Sequence, residues 1–205
     1  GRIIFSNIKK FVYFLLSCNI GEILIVFVSI LLGWEVPLVP IQLLFLNLVT
    51  DSFPALALGV EPAEPNIMNL KPRDTKEGIL DKGMYGGIVF QAIAISVACL
   101  LAYYWGMGRY GVESGLMEVR SIVFTTLILA ELLRAYSSRS QDYTLFKIGI
   151  FSNKAMNQAV FVSFVLTVAV LYVPFLADIF NVVPLSLKDW EIVLALAFIP
   201  LVIGE

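Results

Sequence analysis

The sequence predicts an all-α membrane protein, a six-transmembrane-helix bundle forming one domain over 1–205. Three observations lead there. Of 205 residues, 59% are hydrophobic and 15% charged, whereas soluble domains carry about 45–50% apolar and about 25% charged residues. The apolar residues gather into runs close to the roughly 20 that a helix needs to cross the hydrocarbon core. The basic residues fall mostly on one side of those runs, as they do in short cytoplasmic loops. A formal net charge of −2 leaves no electrostatic footprint for nucleic acid. Histidine is absent, which excludes His-based catalysis and His-ligated metal sites. Cys18 and Cys99 each lie inside an apolar run and read as small core residues, not as a disulfide framework or a thiolate metal site.

The first predicted span, 11–33, follows Lys9 and Lys10 and carries Asn19, Gly21 and Glu22. The second, 38–60, contains Asn47, Thr50, Asp51 and Pro54. Pro54 has no N–H to give the Thr50 carbonyl four residues earlier, so this helix is expected to be kinked or unwound between residues 51 and 54. From 61 to 83, Pro62, Pro65, Pro72 and alternating charges predict an ordered, non-helical surface loop. The third span, 84–105, closes on Tyr103, Tyr104 and Trp105, which with Trp34 and Trp190 read as interfacial belt aromatics. The fourth, 119–138, holds Glu131 and Arg134, and the fifth is 155–177. The sixth, 188–205, stops at Ile203, Gly204 and Glu205 without a polar tail. Residue 1 opens into a basic segment without signal-peptide organisation, so the chain is expected to be a fragment.

One side of the spans collects Arg2, Lys9, Lys10, Lys71, Arg73, Lys76, Lys82, Arg134, Arg139, Lys147 and Lys154; the other receives Arg109, Arg120 and Lys188. Both ends are therefore expected in the cytoplasm, with odd spans running outward and even spans inward.

Ionisable groups inside a membrane are costly, which makes each a functional candidate. Glu22, Asp51 and Glu131 each sit within a few residues of a span centre, so all three lie at one depth. Asn19 and Glu22 are three apart, while Asn47 lies three and four before Thr50 and Asp51, so each set shares a helix face. Every one of these groups offers oxygen. Calcium takes about 6–8 oxygen ligands, whereas zinc and copper sites call for imidazoles or thiolates, so a hard cation fits this donor set best. The carbonyl freed by Pro54 would add to it, as at the broken helices of transporters. Gly21 would let a neighbouring helix approach closely.

A blander reading accompanies each residue. A lone Asn or Thr in a span is commonly interhelical glue. Glu131 could be neutralised by Arg134, three residues on, as a buried ion pair. Ser17, Ser29, Gln42, Ser52, Gln91, Ser96, Thr125, Thr126, Ser163 and Thr167 read as packing or helix hydrogen-bonding residues.

The stretch Asn19-Ile20-Gly21-Glu22, the run Pro40-Ile41-Gln42-Leu43-Leu44 leading to Asn47-Leu48-Val49-Thr50-Asp51, then Pro54-Ala55, Ala57-Leu58-Gly59 and Glu61-Pro62 resemble the fifth and sixth transmembrane helices of calcium-transporting P-type ATPases. The likeness continues through Ile67-Met68, Lys71-Pro72-Arg73 and Ala130-Glu131-Leu132-Leu133-Arg134-Ala135. It covers essentially the whole chain as the fifth to tenth helices of such a pump, and Ser137-Ser138-Arg139-Ser140 looks like bacterial members.

The resemblance to the sarco/endoplasmic reticulum type implies one calcium site built by Asn19, Glu22, Thr50, Asp51 and Glu131. It implies a second using Asn47 and sharing Asp51, completed by a fourth helix that this chain does not contain. Where the family has Gly after the Asp, this sequence has Ser52. The phosphorylated Asp motif and the nucleotide-binding and actuator domains are also absent from these residues. ATP and Mg²⁺ would therefore act only through those domains, and the chain alone is not expected to hydrolyse ATP.

The implied function is the membrane part of an ATP-driven pump that moves Ca²⁺, against protons, in a bacterial plasma membrane. Its partners would be the lipid bilayer and the remaining helices and cytoplasmic domains of the same pump, with no nucleic acid. A sodium/potassium-type or other monovalent-cation pump is the nearest alternative, although those relatives carry an acidic residue at the place of Asn47. A channel or secondary transporter would also suit six spans with a mid-membrane acidic site, but neither a pore-filter signature nor an inverted repeat is present.

Overall fold

A computed structural model describes residues 1–64, 67, 78–111, 113–140 and 143–204. The described residues are helices and connections. In chain order the helices are α1 (Arg2–Leu31), α2 (Pro40–Phe45), a π-helical segment (Leu46–Asp51), α3 (Ser52–Gly59), α4 (Lys82–Tyr110), α5 (Leu116–Ser137), α6 (Leu145–Ile148), α7 (Lys154–Tyr172), α8 (Pro174–Phe180) and α9 (Leu187–Gly204). Among the described residues, four stretches are long and apolar enough to cross a membrane: α1, the continuous Pro40–Gly59, α4 and α7. The predicted fourth and sixth spans correspond to α5 and α9, of 22 and 18 residues, which carry four and three charged residues.

The outside of the bundle is apolar. Ile23, Phe27, Leu48, Leu56, Val89 and Phe161 are exposed, while Ser17, Gln42, Thr125, Thr126 and Thr167 are buried. An exterior so apolar suits a hydrocarbon surround, in which backbone and side-chain polar groups must find partners inside the protein. Three buried threonine hydroxyls do so locally: Thr125, Thr126 and Thr167 each donate to the carbonyl four residues back, at 2.8 Å.

The innermost helix is α5, buried over nearly its whole length and packed against α4, α9 and α7. That position explains how a helix with Glu131 and Arg134 belongs to an apolar bundle. Against α4 lies α1, where Gly21 makes the approach possible: a methyl group added there would meet Ile95 Cγ2 at 3.3 Å. Ser96 Oγ uses the closeness and donates to the Gly21 carbonyl at 3.1 Å.

The expected irregularity in the second span takes a definite form. The helix is not unwound; it runs on from Pro40 to Gly59 but widens to π-helix over Leu46–Asp51. A π-helical turn closes i→i+5 instead of i→i+4 and relieves the ladder ahead of a residue that cannot donate, here Pro54. Ser52 belongs to the arrangement, since its Oγ donates to the Asn47 carbonyl five residues back at 2.8 Å.

Other expectations are corrected. The fifth span is not one helix over 155–177: α7 ends at Tyr172, Val173 is extended (φ −86°, ψ 113°), and Pro174 opens α8. A proline disfavours helical backbone in the residue before it, which ends α7 there. Tyr103 is no belt residue; it is fully buried, stacks on Trp34 with centroids 4.8 Å apart, and donates to the Glu35 carbonyl at 2.9 Å. Helix α1 begins at Arg2 and α4 runs on to Tyr110, both beyond the apolar cores read from sequence. Most of the expected loop at 61–83 lies outside the described residues.

One end of the bundle is tied by a buried polar cluster. Arg139 donates from Nε to Glu61 at 2.9 and 3.1 Å and from Nη1 to the carbonyls of Gly149 and Ile150 at 3.0 and 2.7 Å. Asn153 donates to Glu61 and to the Ala57 carbonyl, and Asn7 Nδ2 donates to the Glu61 carbonyl at 2.8 Å. The cluster fixes the end of α3 against α1, α7 and the segment after α5.

Candidate metal centre

The site is built where α1, the π-helical segment and α5 face one another. Asp51, at the last π-helical position, and Glu131 on α5 are both fully buried. Neither oxygen of either carboxylate has a hydrogen-bond donor among the described residues. One oxygen of each, together with the Cys18 sulfur from α1, lie within 4.8 Å of one another. A carboxylate stripped of water and given no donor is strongly disfavoured as an anion, and two facing each other are more so. Such a pair calls for a cation or protons.

Next to it, Glu22 accepts from Asn47 Nδ2 at 3.1 Å (Oε2) and 3.4 Å (Oε1). The same Nδ2 donates to the Leu43 carbonyl at 2.9 Å, leaving the Asn47 side-chain oxygen as an acceptor. Thr50 is fully buried and its hydroxyl donates to the Leu46 carbonyl at 3.0 Å, which keeps the oxygen's lone pairs available. Asn19 Nδ2 likewise donates within its own helix, to the Leu15 carbonyl at 2.8 Å. Of the six predicted residues, then, the structure joins Glu22 to Asn47 and brings Asp51 to Glu131. Asn19 and Thr50 make no hydrogen bond to a carboxylate among the described residues.

Arg134 does not neutralise Glu131. Its guanidinium donates from Nη1 to the Ser137 and Ser138 hydroxyls and lies 5.0 Å from the centroid of the Tyr13 ring. No ion pair to Glu131 is present among the described residues, and the alternative of a simple buried salt bridge falls away.

The residue that sequence reasoning passed over is Cys18. Its burial is as expected, and it carries no disulfide, but it faces the carboxylates instead of merely filling the core. The available signal was its spacing, four residues before Glu22 and hence on the same helix face.

Residues 35–205 match the family model described as "Cation transporting ATPase, C-terminus". The chain is 39% identical over its whole length to calcium-transporting ATPase 1 of Bacillus cereus and covers 24% of that protein. To the calcium-transporting ATPase of Bacillus subtilis it is 38% identical, over 98% of this chain and 22% of the relative. To the endoplasmic reticulum-type calcium-transporting ATPase 3 of Arabidopsis thaliana it is 30% identical, over 100% of this chain and 23% of the relative. It thus spans about a quarter of the length of the relatives it matches. An integral membrane bundle, with acidic groups buried between its helices and that match along most of its length, belongs to the cation-transporting ATPase C-terminal family.

Proposed function

We propose that this chain is the membrane part of a P-type pump that binds Ca²⁺ and carries it across a bacterial plasma membrane in exchange for protons. The observation that carries the reading is the Asp51–Glu131 pair, two buried carboxylates with no hydrogen-bond donor among the described residues and one oxygen of each within 4.8 Å of the other. At that separation two unit charges repel by about 3 kcal/mol even at an effective dielectric constant of about 20. A divalent cation removes the repulsion and takes the orphaned oxygens as ligands.

In this reading Asn19, Glu22, Thr50, Asp51 and Glu131 contribute to one cation site, and Asn47 with Asp51 to a second completed by helices outside this chain. All these donors are oxygens, which a hard cation prefers. Replacing the ion by protons on the same carboxylates gives the return step its charge balance. Both ends of the chain are placed in the cytoplasm and all six predicted spans cross the bilayer. ATP and Mg²⁺ act through cytoplasmic domains of the same pump.

The test uses the full-length protein that carries this segment, reconstituted into vesicles. ATP-dependent uptake of radioactive calcium is expected, lost in Asp51→Asn and accompanied by proton movement in the opposite sense. Uptake of sodium or potassium in place of calcium, or calcium uptake that survives Asp51→Asn, would overturn the proposal.

A further inference from the structure

We propose that Cys18 is a metal ligand of this site and that it opens the site to thiophilic divalent cations such as Cd²⁺ and Zn²⁺. The inference rests on reading Asp51 and Glu131 as cation ligands and adds a sulfur to them.

Cys18 is fully buried on α1, and its sulfur lies within 4.8 Å of a carboxylate oxygen from each of Asp51 and Glu131. All four oxygens of those carboxylates are buried without a donor among the described residues, and one oxygen of each stands in the same cluster as the sulfur. An ion at the centre of three donors so spaced lies within about 2.8 Å of each, and zinc bonds run at about 2.3 Å to sulfur and about 2.0–2.2 Å to oxygen. A movement of under about 1 Å per side chain brings these three donors to bonding distance.

The donor set therefore has two characters. Its oxygens suit calcium, and ligand softness is what separates calcium from the later divalent metals. With one thiolate and two carboxylates the same pocket gains a soft edge, and Cd²⁺ or Zn²⁺ would bind as a competitor of Ca²⁺. The thiol proton leaves to water as the metal–sulfur bond forms, so the site takes up a divalent ion and releases one proton from Cys18. Glu22 lies one helical turn further along the same face of α1, positioned to add an oxygen ligand. Cys99 is equally buried but stands outside the three-residue cluster, which makes it the internal control.

The experiment uses the purified full-length protein without ATP, with Ca²⁺ and Cd²⁺ as probes. Binding of Cd²⁺ is followed by its ultraviolet sulfur-to-metal charge-transfer band, and only the component displaced by excess Ca²⁺ is counted. Outer-shell partners alone are worth about 10–100-fold in metal affinity, so losing a ligand should cost at least about tenfold. Cys18→Ser is expected to abolish the Ca²⁺-displaceable band and weaken Cd²⁺ by that factor, a larger loss than any change in Ca²⁺ affinity. Cys99→Ser should leave both intact. A displaceable band that survives Cys18→Ser, or is lost equally in Cys99→Ser, overturns the assignment. If wild-type protein binds no Ca²⁺, the pump reading fails instead, and the sulfur assignment is then judged on the total Cd²⁺ band, which must be lost in Cys18→Ser and kept in Cys99→Ser. Should Cys18→Ser fail to fold, cadmium NMR of the wild-type protein decides: a Ca²⁺-displaceable resonance at an all-oxygen shift refutes a sulfur ligand, and one moved downfield by sulfur supports it.

Discussion

Asn47 donates one amide nitrogen to both carboxylate oxygens of Glu22 and to the Leu43 carbonyl one turn behind it. The π-helical segment is thereby fastened to α1 through Glu22, the one acidic group at the site that has a donor among the described residues. The widened turn displaces Asn47 and Asp51 from a regular helical register, so the two side chains meet different partners: Asn47 meets Glu22, while Asp51 meets Glu131 and Cys18.

Asn47→Leu removes the donor and leaves Glu22 without a partner among the described residues. An unsatisfied buried polar group costs about 1–3 kcal/mol, more for a charged one. Calcium affinity of the full-length protein is nevertheless expected to fall, by about 10–100-fold, because Asn47 is itself a proposed ligand and its amide holds Glu22 in place. Equal isotherms for variant and wild type would show that the contact does not position Glu22.

Asp51→Asn and Glu131→Gln should not be equivalent. Asp51 is proposed to serve both cation sites, so its loss is expected to abolish calcium-dependent phosphorylation of the intact pump. Glu131→Gln keeps a coordinating oxygen and removes one side of the carboxylate repulsion, and a lowered calcium affinity with residual phosphorylation is expected. Because Arg134 is engaged with Ser137, Ser138 and Tyr13, this ranking owes nothing to a salt bridge. Mild and equal effects on the calcium dependence of phosphorylation would contradict it.

The helices were legible because membrane solvation writes them in composition: 59% apolar residues in long runs admit little else. Glu22, Asp51 and Glu131 were legible for the same reason, as charges in the wrong solvent. Features that depend on tertiary partners were not. Val173 and Pro174 interrupt a run of unbroken hydropathy, and only the backbone restriction before proline marks the break. Tyr103 carries the same residue type whether it anchors at an interface or stacks inside on Trp34. Arg134 stands three residues from Glu131, a spacing that permits an ion pair, yet its guanidinium turns to hydroxyls one turn further on. Cys18 is small and apolar enough to pass as packing, and its role emerges only when α5 and the π-helical segment are placed beside it.

Arg139→Met should destabilise the fold more than any surface change. Its guanidinium and Glu61 are about 1% and 5% exposed, and they hold each other at 2.8 Å. Removing one partner of a buried pair costs about 3–5 kcal/mol because the other charge is left uncompensated. Thermal unfolding of the full-length protein in detergent should shift down markedly for Arg139→Met. The double variant Glu61→Gln with Arg139→Met should lose clearly less than the sum of the two singles. Strict additivity would mean that the pair is not coupled.

Asp81 separates a helix cap from a salt bridge. Its Oδ1 accepts from the Met84 backbone N–H at 2.9 Å, capping α4, and its Oδ2 accepts from Lys9 Nζ at 3.0 Å. These contacts, the Met84 N–H first, hold its carboxyl below the usual carboxylate range. The side chain is 44% exposed, so the ion pair is screened and worth at most about 1 kcal/mol. The cap is worth about 0.5–2 kcal/mol, and Asn caps as well as Asp. Asp81→Ala is therefore expected to lose about 1 kcal/mol at neutral pH, while Asp81→Asn stays close to wild type. The pH dependence follows from the direction of the shift. A depressed folded-state value means that the stabilisation is complete above the unfolded carboxyl value of about 3.9 and is lost as pH falls through the folded one. The gap between wild type and Asp81→Ala should thus hold from neutral pH to about 5 and narrow below about 4. Chemical unfolding at a series of pH values measures it. An Asp81→Asn loss as large as that of Asp81→Ala, shrinking with added salt, would instead give the leading role to Lys9.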